Sequence, residues 1–393
     1  AFSAAKKLHD SIKSQKWQID AGLKLATVGI TRQDIERDLR NLEEVRVLAE
    51  SINDERSLAK IFYWLGRIHY VLWSPQVAME YAEKSLIIAD SLEDDSLAAS
   101  PVNLMGRVYY QLSDFRKASQ FLERNVEQMR RIGNKVEEST ASALTGYLFA
   151  FLGKFDQAFE YADNAIQLAN KIENPFAKAN GYHLRGCVCD QRGEWKGAIK
   201  DYDKAIYIAE KAEDLFRLYL VKSWKGRAHV MIEELSLGRK LLEESLTLAE
   251  KIGTKFWLAW QKTALADCLF RLGEIEAGST LCQEAISLGE ETKDKYVIAF
   301  AKRTFAEMLC SPELIDPEKS DLMIHSAINV LQEIDAKPEI ARSYMSYANI
   351  LAGKGVKDMA QKYLTKAMGM FQNMSMTWDL AQLNQLQHKF RMS

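Results

Sequence analysis

The chain has 393 residues, of which 47% are hydrophobic and 27% are charged, a balance typical of a folded protein rather than a disordered one. A chain of this length exceeds one compact core, so we expect several domains or one elongated array. The formal net charge of −2 gives no general attraction to nucleic acid or to an anionic membrane surface, and neither is expected as a partner.

The cysteine content and the length of apolar runs indicate the cellular compartment of the chain. Five cysteines are an odd number without a disulfide-framework spacing, which favours a reducing, cytoplasmic compartment. No stretch approaches the roughly 18 consecutive apolar residues of a membrane span. Because the chain begins with Ala1 rather than Met, we expect it to be a piece of a longer protein.

The chain is predicted to be a repeat array. Residues 1–15 are amphipathic and predict an N-terminal helix, after which residues 16–377 repeat with a period of 40. The period is marked by a small anchor residue, which recurs at Ala26, Gly66, Gly106, Gly146, Gly186, Gly226, Ala266, Ala306 and Ala348. The last interval is 42 residues because the turn SPELIDPEKSD (residues 311–321) is longer. About nine repeats in register predict one continuous array.

Each period is predicted to form a helix, a short turn and a second helix. The second helix carries its own small residue at Ala78, Ala118, Ala158 and Ala198. Small residues at both places indicate that the two helices of a repeat approach closely. Pro101 lies five residues before its anchor, so its helix is expected to start near Ser100 or to kink. Residues 378–393 predict a capping helix, which covers the otherwise exposed end of a stack.

A small anchor, an aromatic residue three positions later and an alanine twelve positions later resemble the tetratricopeptide repeat (TPR). The family period is about 34 residues, and longer variants resemble the sensor arrays of bacterial STAND-type signalling ATPases and class III adenylate cyclases. The resemblance implies an all-α, right-handed superhelical solenoid whose first helices line a concave groove. It also implies a protein or peptide partner. The Lys and Asn pattern of chaperone-tail clamps is absent, as is the Asn-Leu-Gly-Asn signature of cell-polarity scaffolds.

In the family, the positions three before, one after and four after the anchor face the groove. This mapping predicts a partner-binding stripe that includes Tyr63, Arg67, Tyr70, Asn103, Arg107, Tyr110, Tyr147, His183 and Arg227. Arginine offers paired donors to carboxylates and tyrosine offers rigid apolar area, so the N-terminal half suits an acidic and apolar peptide. The alternative is that Arg67 and Arg107 pair with acids on neighbouring helices.

The sequence lacks several motifs that are typical of catalytic sites. It has no GxxxxGK[ST], HExxH or GxSxG motif and no paired CxxC. Cys187 and Cys189 form a CxC within one helix, whose thiols point to different sides and cannot share an ion. His69 and His229 take aromatic core positions and are expected to be packed histidines. No catalytic residue, metal or cofactor is therefore predicted.

Three functions remain open. The first is a regulatory sensor within a larger bacterial signalling protein, an adenylate cyclase or a STAND ATPase, which can also supply neighbouring domains as partners. The second is a stand-alone adaptor that binds peptides, and the third is a scaffold that associates with itself. Whether the N-terminal helix itself occupies the groove is left open.

Overall fold

The computed structural model describes residues 11–29 and 35–392. Most of the predicted N-terminal helix, residues 1–15, lies outside these ranges. The described residues form 19 helices and no strand, which confirms the predicted all-α fold of tandem helix–turn–helix repeats. The helices are α1 (Ile12–Gly29), α2 (Ile35–Ser51), α3 (Glu55–Val71), α4 (Pro75–Ser91), α5 (Asp95–Gln111), α6 (Phe115–Arg131), α7 (Lys135–Phe151), α8 (Phe155–Lys171), α9 (Pro175–Arg192), α10 (Trp195–Lys211), α11 (Leu215–Met231), α12 (Leu235–Ile252), α13 (Leu258–Arg271), α14 (Ile275–Thr292), α15 (Lys295–Met308), α16 (Pro317–Glu333), α17 (Lys337–Gly353), α18 (Lys357–Asn373) and α19 (Thr377–Met392).

Capping residues set where the first helix of a repeat begins. Asp94 precedes α5 and its carboxylate accepts a hydrogen bond from the Leu97 amide at 3.0 Å. The helix therefore starts at Asp95, and the predicted start near Ser100 is wrong. Pro101 lies inside α5, where the missing N–H costs one backbone hydrogen bond but does not end the helix.

The small anchor residues allow close helix contacts, as predicted. A Cβ atom added at Gly146 would lie 2.6 Å from the carbonyl oxygen of Ala158 and 3.1 Å from the amide nitrogen of Ala162. Both are backbone atoms of the second helix of the same repeat. At Gly66 the nearest atom would be Leu104 Cδ2 at 2.8 Å, the end of a flexible side chain. The glycine at position 146 therefore sets the spacing of its helix pair.

The described chain divides into two compact units. Unit 1 comprises the described residues up to Leu112 together with Gln120–Asn134. Its core contains two clusters, one around Leu42, Ile61 and Leu65, and one around Leu104 and Val108. Unit 2 comprises Ser113–Ser119 and the residues from Lys135 onwards.

Within unit 2, three successive turns contact helix starts far along the chain. Ser113 Oγ donates to the Asp294 carboxylate at 3.3 Å and accepts from the Tyr296 amide at 3.2 Å, before and at the start of α15. The other two turns contain Gly153, which faces Lys337 at the start of α17 and Met374, and Gly193, which faces Asp379 in the first turn of α19. We call these three contacts the seam.

Gly193 is required at the seam for two reasons. Its φ of +82° is in the left-handed region, which a side chain disfavours. A Cβ atom there would also lie 2.7 Å from Asp379 Oδ2. The helix α19 therefore packs directly on the backbone of this turn.

Aromatic side chains fill the interior of unit 2 beside the seam. Phe115 stacks on Phe151 at 4.5 Å between ring centroids, and Phe151 meets Tyr296 edge-on at 4.7 Å. Trp224 packs against Trp260 at 4.0 Å. All five rings are at least nine-tenths buried. The first helices of unit 2 therefore enclose a packed core.

No helix within the described ranges is both long and apolar enough to cross a membrane.

Candidate partner-binding surface

The predicted stripe is divided between the two units. Six of its residues lie on α3 and α5 in unit 1, and three lie on α7, α9 and α11 in unit 2. We call the unit 1 residues the inner stripe; they are Tyr63, Arg67, Tyr70, Asn103, Arg107 and Tyr110.

Arg67 makes no ion pair with any residue in the described part of the chain. Its guanidinium lies over the ring of Tyr70, 5.8 Å from the ring centroid. Its Nε atom is buried without a hydrogen-bond partner among the described residues. The side chain as a whole is half-buried. Arg67 is therefore a positive charge held against an aromatic face and not neutralised.

Arg107 is held by a chain of amide side chains. Its Nε atom donates to Asn103 Oδ1 at 2.7 Å, Asn103 Nδ2 donates to Asn125 Oδ1 at 2.9 Å, and Asn125 Nδ2 donates to the Ala99 carbonyl at 2.7 Å. No carboxylate of residues 11–29 or 35–392 pairs with Arg107. The alternative that both arginines pair with acids on neighbouring helices is therefore wrong for the described residues.

Gln111 joins the ends of the two helices that carry the inner stripe. Its Nε2 atom donates to the main-chain carbonyl of Tyr70 at 2.9 Å, from the last residue of α5 to the end of α3. Gln111 is almost fully buried. It was not among the predicted site residues, although its position next to the stripe residue Tyr110 is visible in the sequence.

Arg227 is the unit 2 counterpart of these arginines, and its charge is neutralised. It pairs with Asp190 on α9, and its second terminal nitrogen lies 4.0 Å from Glu339 Oε1. Trp195 and Phe300 face the guanidinium at 5.1 and 5.8 Å. Arg227 is only 5% exposed.

Further charged residues extend this pair into a buried polar cluster. Glu339 accepts from Arg342 at 2.8 Å and from Arg303 at 3.1 Å. Arg342 also donates to Asp379 at 2.9 Å and to the Gln191 carbonyl at 3.0 Å. Arg303 also lies 3.6 Å from Glu307, so three arginines face four carboxylates, and every arginine of the cluster has an acidic partner.

The environment of the cluster shifts two carboxyl pKa values in opposite directions. Burial raises the pKa of Asp190 to about 6, although Arg227 and Arg342 oppose the shift. Burial also acts to raise the pKa of Glu339, but Arg303, Arg342 and Arg227 together hold that pKa at about 2. Glu339 therefore stays ionised at any physiological pH.

His183 and Tyr147 lie in the interior of unit 2. His183 Nδ1 is 3.0 Å from an Arg217 nitrogen, and burial followed by the Arg217 charge lowers the pKa of His183 well below its usual value. The imidazole is therefore neutral and accepts from Arg217. Tyr147 packs edge-on against Phe151 and Trp224. With Arg227, these residues contribute to the unit 2 core.

The remaining candidate residues for chemistry are packed side chains. Burial raises the pKa of Cys189 to about 12 and that of Cys187 well above its usual value. Within the described ranges, no group of three His, Cys, Asp or Glu residues is placed to hold a metal ion. His229 is buried with Nδ1 2.6 Å from Glu234, and His69 stacks on Tyr81, which confirms the prediction of packed histidines.

Comparisons with known proteins show similarity in fold but none in sequence. No protein-family profile matches the chain, and no curated protein matches it in sequence. A Rap protein complexed with competence and sporulation factor is similar over 93% of this chain and 99% of its own, with a TM-score of 0.69 and 10% identity. NprR in complex with its cognate peptide NprX is similar over 90% of this chain and 99% of its own, with a TM-score of 0.63 and 12% identity.

A third similar structure is a STAND protein with a tetratricopeptide repeat sensor from Pyrococcus horikoshii. The similarity covers 98% of this chain and 55% of that protein, with a TM-score of 0.54 and 15% identity. At these identities the comparisons establish a TPR-like helical-repeat fold.

Proposed function

We propose that the chain is a non-catalytic regulatory domain that binds a peptide or protein on the inner stripe of unit 1. The observation that carries the proposal is the pair of unneutralised arginines, Arg67 and Arg107, which lie among tyrosines on consecutive first helices. A partner with carboxylates and apolar side chains would satisfy both features.

The similar structures support a regulatory, peptide-binding role. Two of them hold peptides, competence and sporulation factor in one case and NprX in the other. The third combines a TPR sensor with a signal-transduction ATPase. We therefore favour a sensor that biases an attached module of a larger bacterial signalling protein. That module would be a STAND ATPase or an adenylate cyclase, and the five unpaired cysteines suit a reducing cytoplasm.

The alternatives are a stand-alone adaptor and a self-associating scaffold. The adaptor would use the same stripe without an attached module, and the encoded full-length protein distinguishes it from the sensor. The scaffold would need no ligand in unit 1, and a monomer at high concentration in sedimentation measurements would count against it.

The proposed function is tested by affinity capture from a lysate of the encoding organism. The bait is the full chain, compared with the double variant Arg67→Glu/Arg107→Glu. A matched control is Lys60→Glu/Arg124→Glu, because both residues are exposed in unit 1, lack partners in the described part, and change the net charge equally. We expect one partner to be lost from the stripe variant and retained by the control.

Equal recovery of every captured protein by both variants would overturn the placement on the inner stripe. Circular dichroism and melting curves of the variants must match those of the unmodified protein for the comparison to hold.

A further inference from the structure

Two repeat positions that lie on neighbouring first helices hold different residues in the two units. Asp190 and Arg227 in unit 2 each lie 120 residues, three periods of 40, after Tyr70 and Arg107 in unit 1. In both units the first member lies in the last turn of one first helix, and the second lies on the next first helix. In unit 2 a carboxylate at the repeat position of Tyr70 forms an ion pair with the arginine at the repeat position of Arg107.

In unit 1 a hydrogen bond joins the ends of the two first helices α3 and α5. The bond from Gln111 to the Tyr70 carbonyl at 2.9 Å holds the end of α3 against the end of α5. Arg107 lies one helical turn before Gln111 on α5, and Tyr70, at the bonded end of α3, is 9% exposed. In unit 2 the corresponding ends of α9 and α11 are close enough for Asp190 and Arg227 to pair directly.

Arg107 is oriented for a ligand that unit 1 does not supply. Its Nε atom is used by Asn103, and Asn103 is itself fixed through Asn125. The two terminal nitrogens make no hydrogen bond to the described residues and remain accessible to solvent. A guanidinium held by one edge presents its other donors in a fixed direction, which suits a carboxylate.

We infer that the partner of the inner stripe places a carboxylate against Arg107 beside Tyr70, where Asp190 pairs with Arg227 in unit 2. This inference rests on the proposed function and names the chemistry of its ligand. The carboxylate comes from an acidic side chain or from the end of a peptide. Arg67, whose guanidinium lies 5.8 Å from the Tyr70 ring centroid, is a second positive charge, on the preceding first helix.

The test is a selection of random dodecapeptides displayed against the full chain. One library has a blocked C-terminus and the other has a free one, so that the two sources of carboxylate are separated. If the carboxylate is a side chain, we expect the unmodified protein to enrich Asp and Glu in the blocked library. If it is the end of the peptide, we expect enrichment only in the library with a free C-terminus. For a selected peptide, replacing its acid by the amide should weaken binding about tenfold or more in fluorescence anisotropy.

Two variants of Tyr70 provide the matched comparison. Tyr70→Asp supplies the carboxylate from within the chain, as Asp190 does, and should abolish the acidic preference. Tyr70→Asn removes the same ring without adding charge and should retain that preference. Should Tyr70→Asp fail to fold, Arg107→Glu serves instead, and it should shift the selected peptides toward Lys and Arg.

The outcomes separate this inference from the proposed function. Two results would overturn the carboxylate site while peptide binding stands. The first is selection from the blocked library without acidic enrichment, together with free-ended peptides that bind equally well after C-terminal amidation. The second is a preference for a carboxylate that is unchanged in Arg107→Glu. A failure of the unmodified protein to enrich any peptide above background would contradict the proposed function itself.

Discussion

Arg107 in unit 1 and Arg227 in unit 2 occupy the same position of the repeat but have different surroundings. Arg107 is fixed by an amide and faces no carboxylate in the described part of the chain. Arg227 is buried, paired with Asp190 and covered by two aromatic rings. The register of a repeat thus determines which position on a helix a residue occupies. The residues that pack against it from other repeats determine whether its side chain belongs to the core or to a surface.

The largest expected difference is between two alanine substitutions. Arg227→Ala leaves the buried Asp190 carboxylate without its partner, and we expect a loss of about 3–5 kcal/mol in the free energy of unfolding. Arg107→Ala removes a half-buried charge without an acidic partner and should cost less than about 1 kcal/mol. Urea unfolding followed by tryptophan fluorescence measures both. Equal losses would contradict the difference in surroundings between Arg107 and Arg227.

A second pair of substitutions compares helix spacing in the two units. Gly146→Ala places a Cβ atom against two backbone positions of α8, so the helices must separate, and we expect a cost of about 2–3 kcal/mol. Gly66→Ala meets the end of the Leu104 side chain at 2.8 Å and one backbone atom, the Ala78 carbonyl oxygen, at 3.1 Å, a looser backbone contact than the 2.6 Å at Gly146, and should cost less. Thermal melting of both variants tests the order, and a larger loss for Gly66→Ala would contradict it.

The stability of unit 2 should depend on pH through its buried carboxyl groups. Burial raises the pKa of Asp294 to about 6 from its ordinary 3.8. Between these values the folded form holds a proton that the unfolded form has released, so the contribution of Asp294 to stability falls as pH rises through this window. The lowered pKa of His183 contributes in the opposite direction. Asp294→Asn keeps an oxygen for the Val297 amide and should reduce the fall by on the order of 1 kcal/mol.

Urea unfolding at several pH values between 4 and 7 measures this effect. An unchanged slope in Asp294→Asn would show that Asp294 does not contribute to it. Asp190 acts in the same direction and stays in place in this variant, so part of the slope should persist.

Thiol reactivity should report on unit 2 alone. All five cysteines lie in unit 2, where four are buried and Cys310 is exposed. We expect a thiol reagent to modify the Cys310 thiol rapidly in the folded protein and the other four thiols only as unit 2 unfolds. Rapid modification of two or more thiols under native conditions would contradict a closed interior.

Local features of the fold were predictable because they repeat. The anchor glycines, the turns and the pairing of helices depend on residues within one period of 40. The error at Pro101 was also local, since the cap at Asp94 outweighed the lost hydrogen bond of the proline. The register alone predicted the inner stripe, and that prediction stays untested; Tyr70 and Tyr110 within it are buried, each 9% exposed.

The buried polar cluster could not be predicted in the same way. Arg342 donates to the carbonyl of Gln191, 151 residues earlier, and such a contact depends on the summed rotation of all the repeats between them. One part did leave a signal in the sequence. Asp190 is an acid four positions after one anchor, and Arg227 lies one position after the next anchor.

The seam limits how the length of unit 2 can change. Open repeat arrays gain or lose whole repeats readily, because each repeat contacts only its neighbours. Here the turns at Ser113, Gly153 and Gly193 meet partners more than 180 residues later, so deleting one 40-residue repeat between them would bring each turn to the wrong helix start. Unit 2 therefore has a fixed repeat number, and duplications are tolerated only outside the segment that the seam encloses.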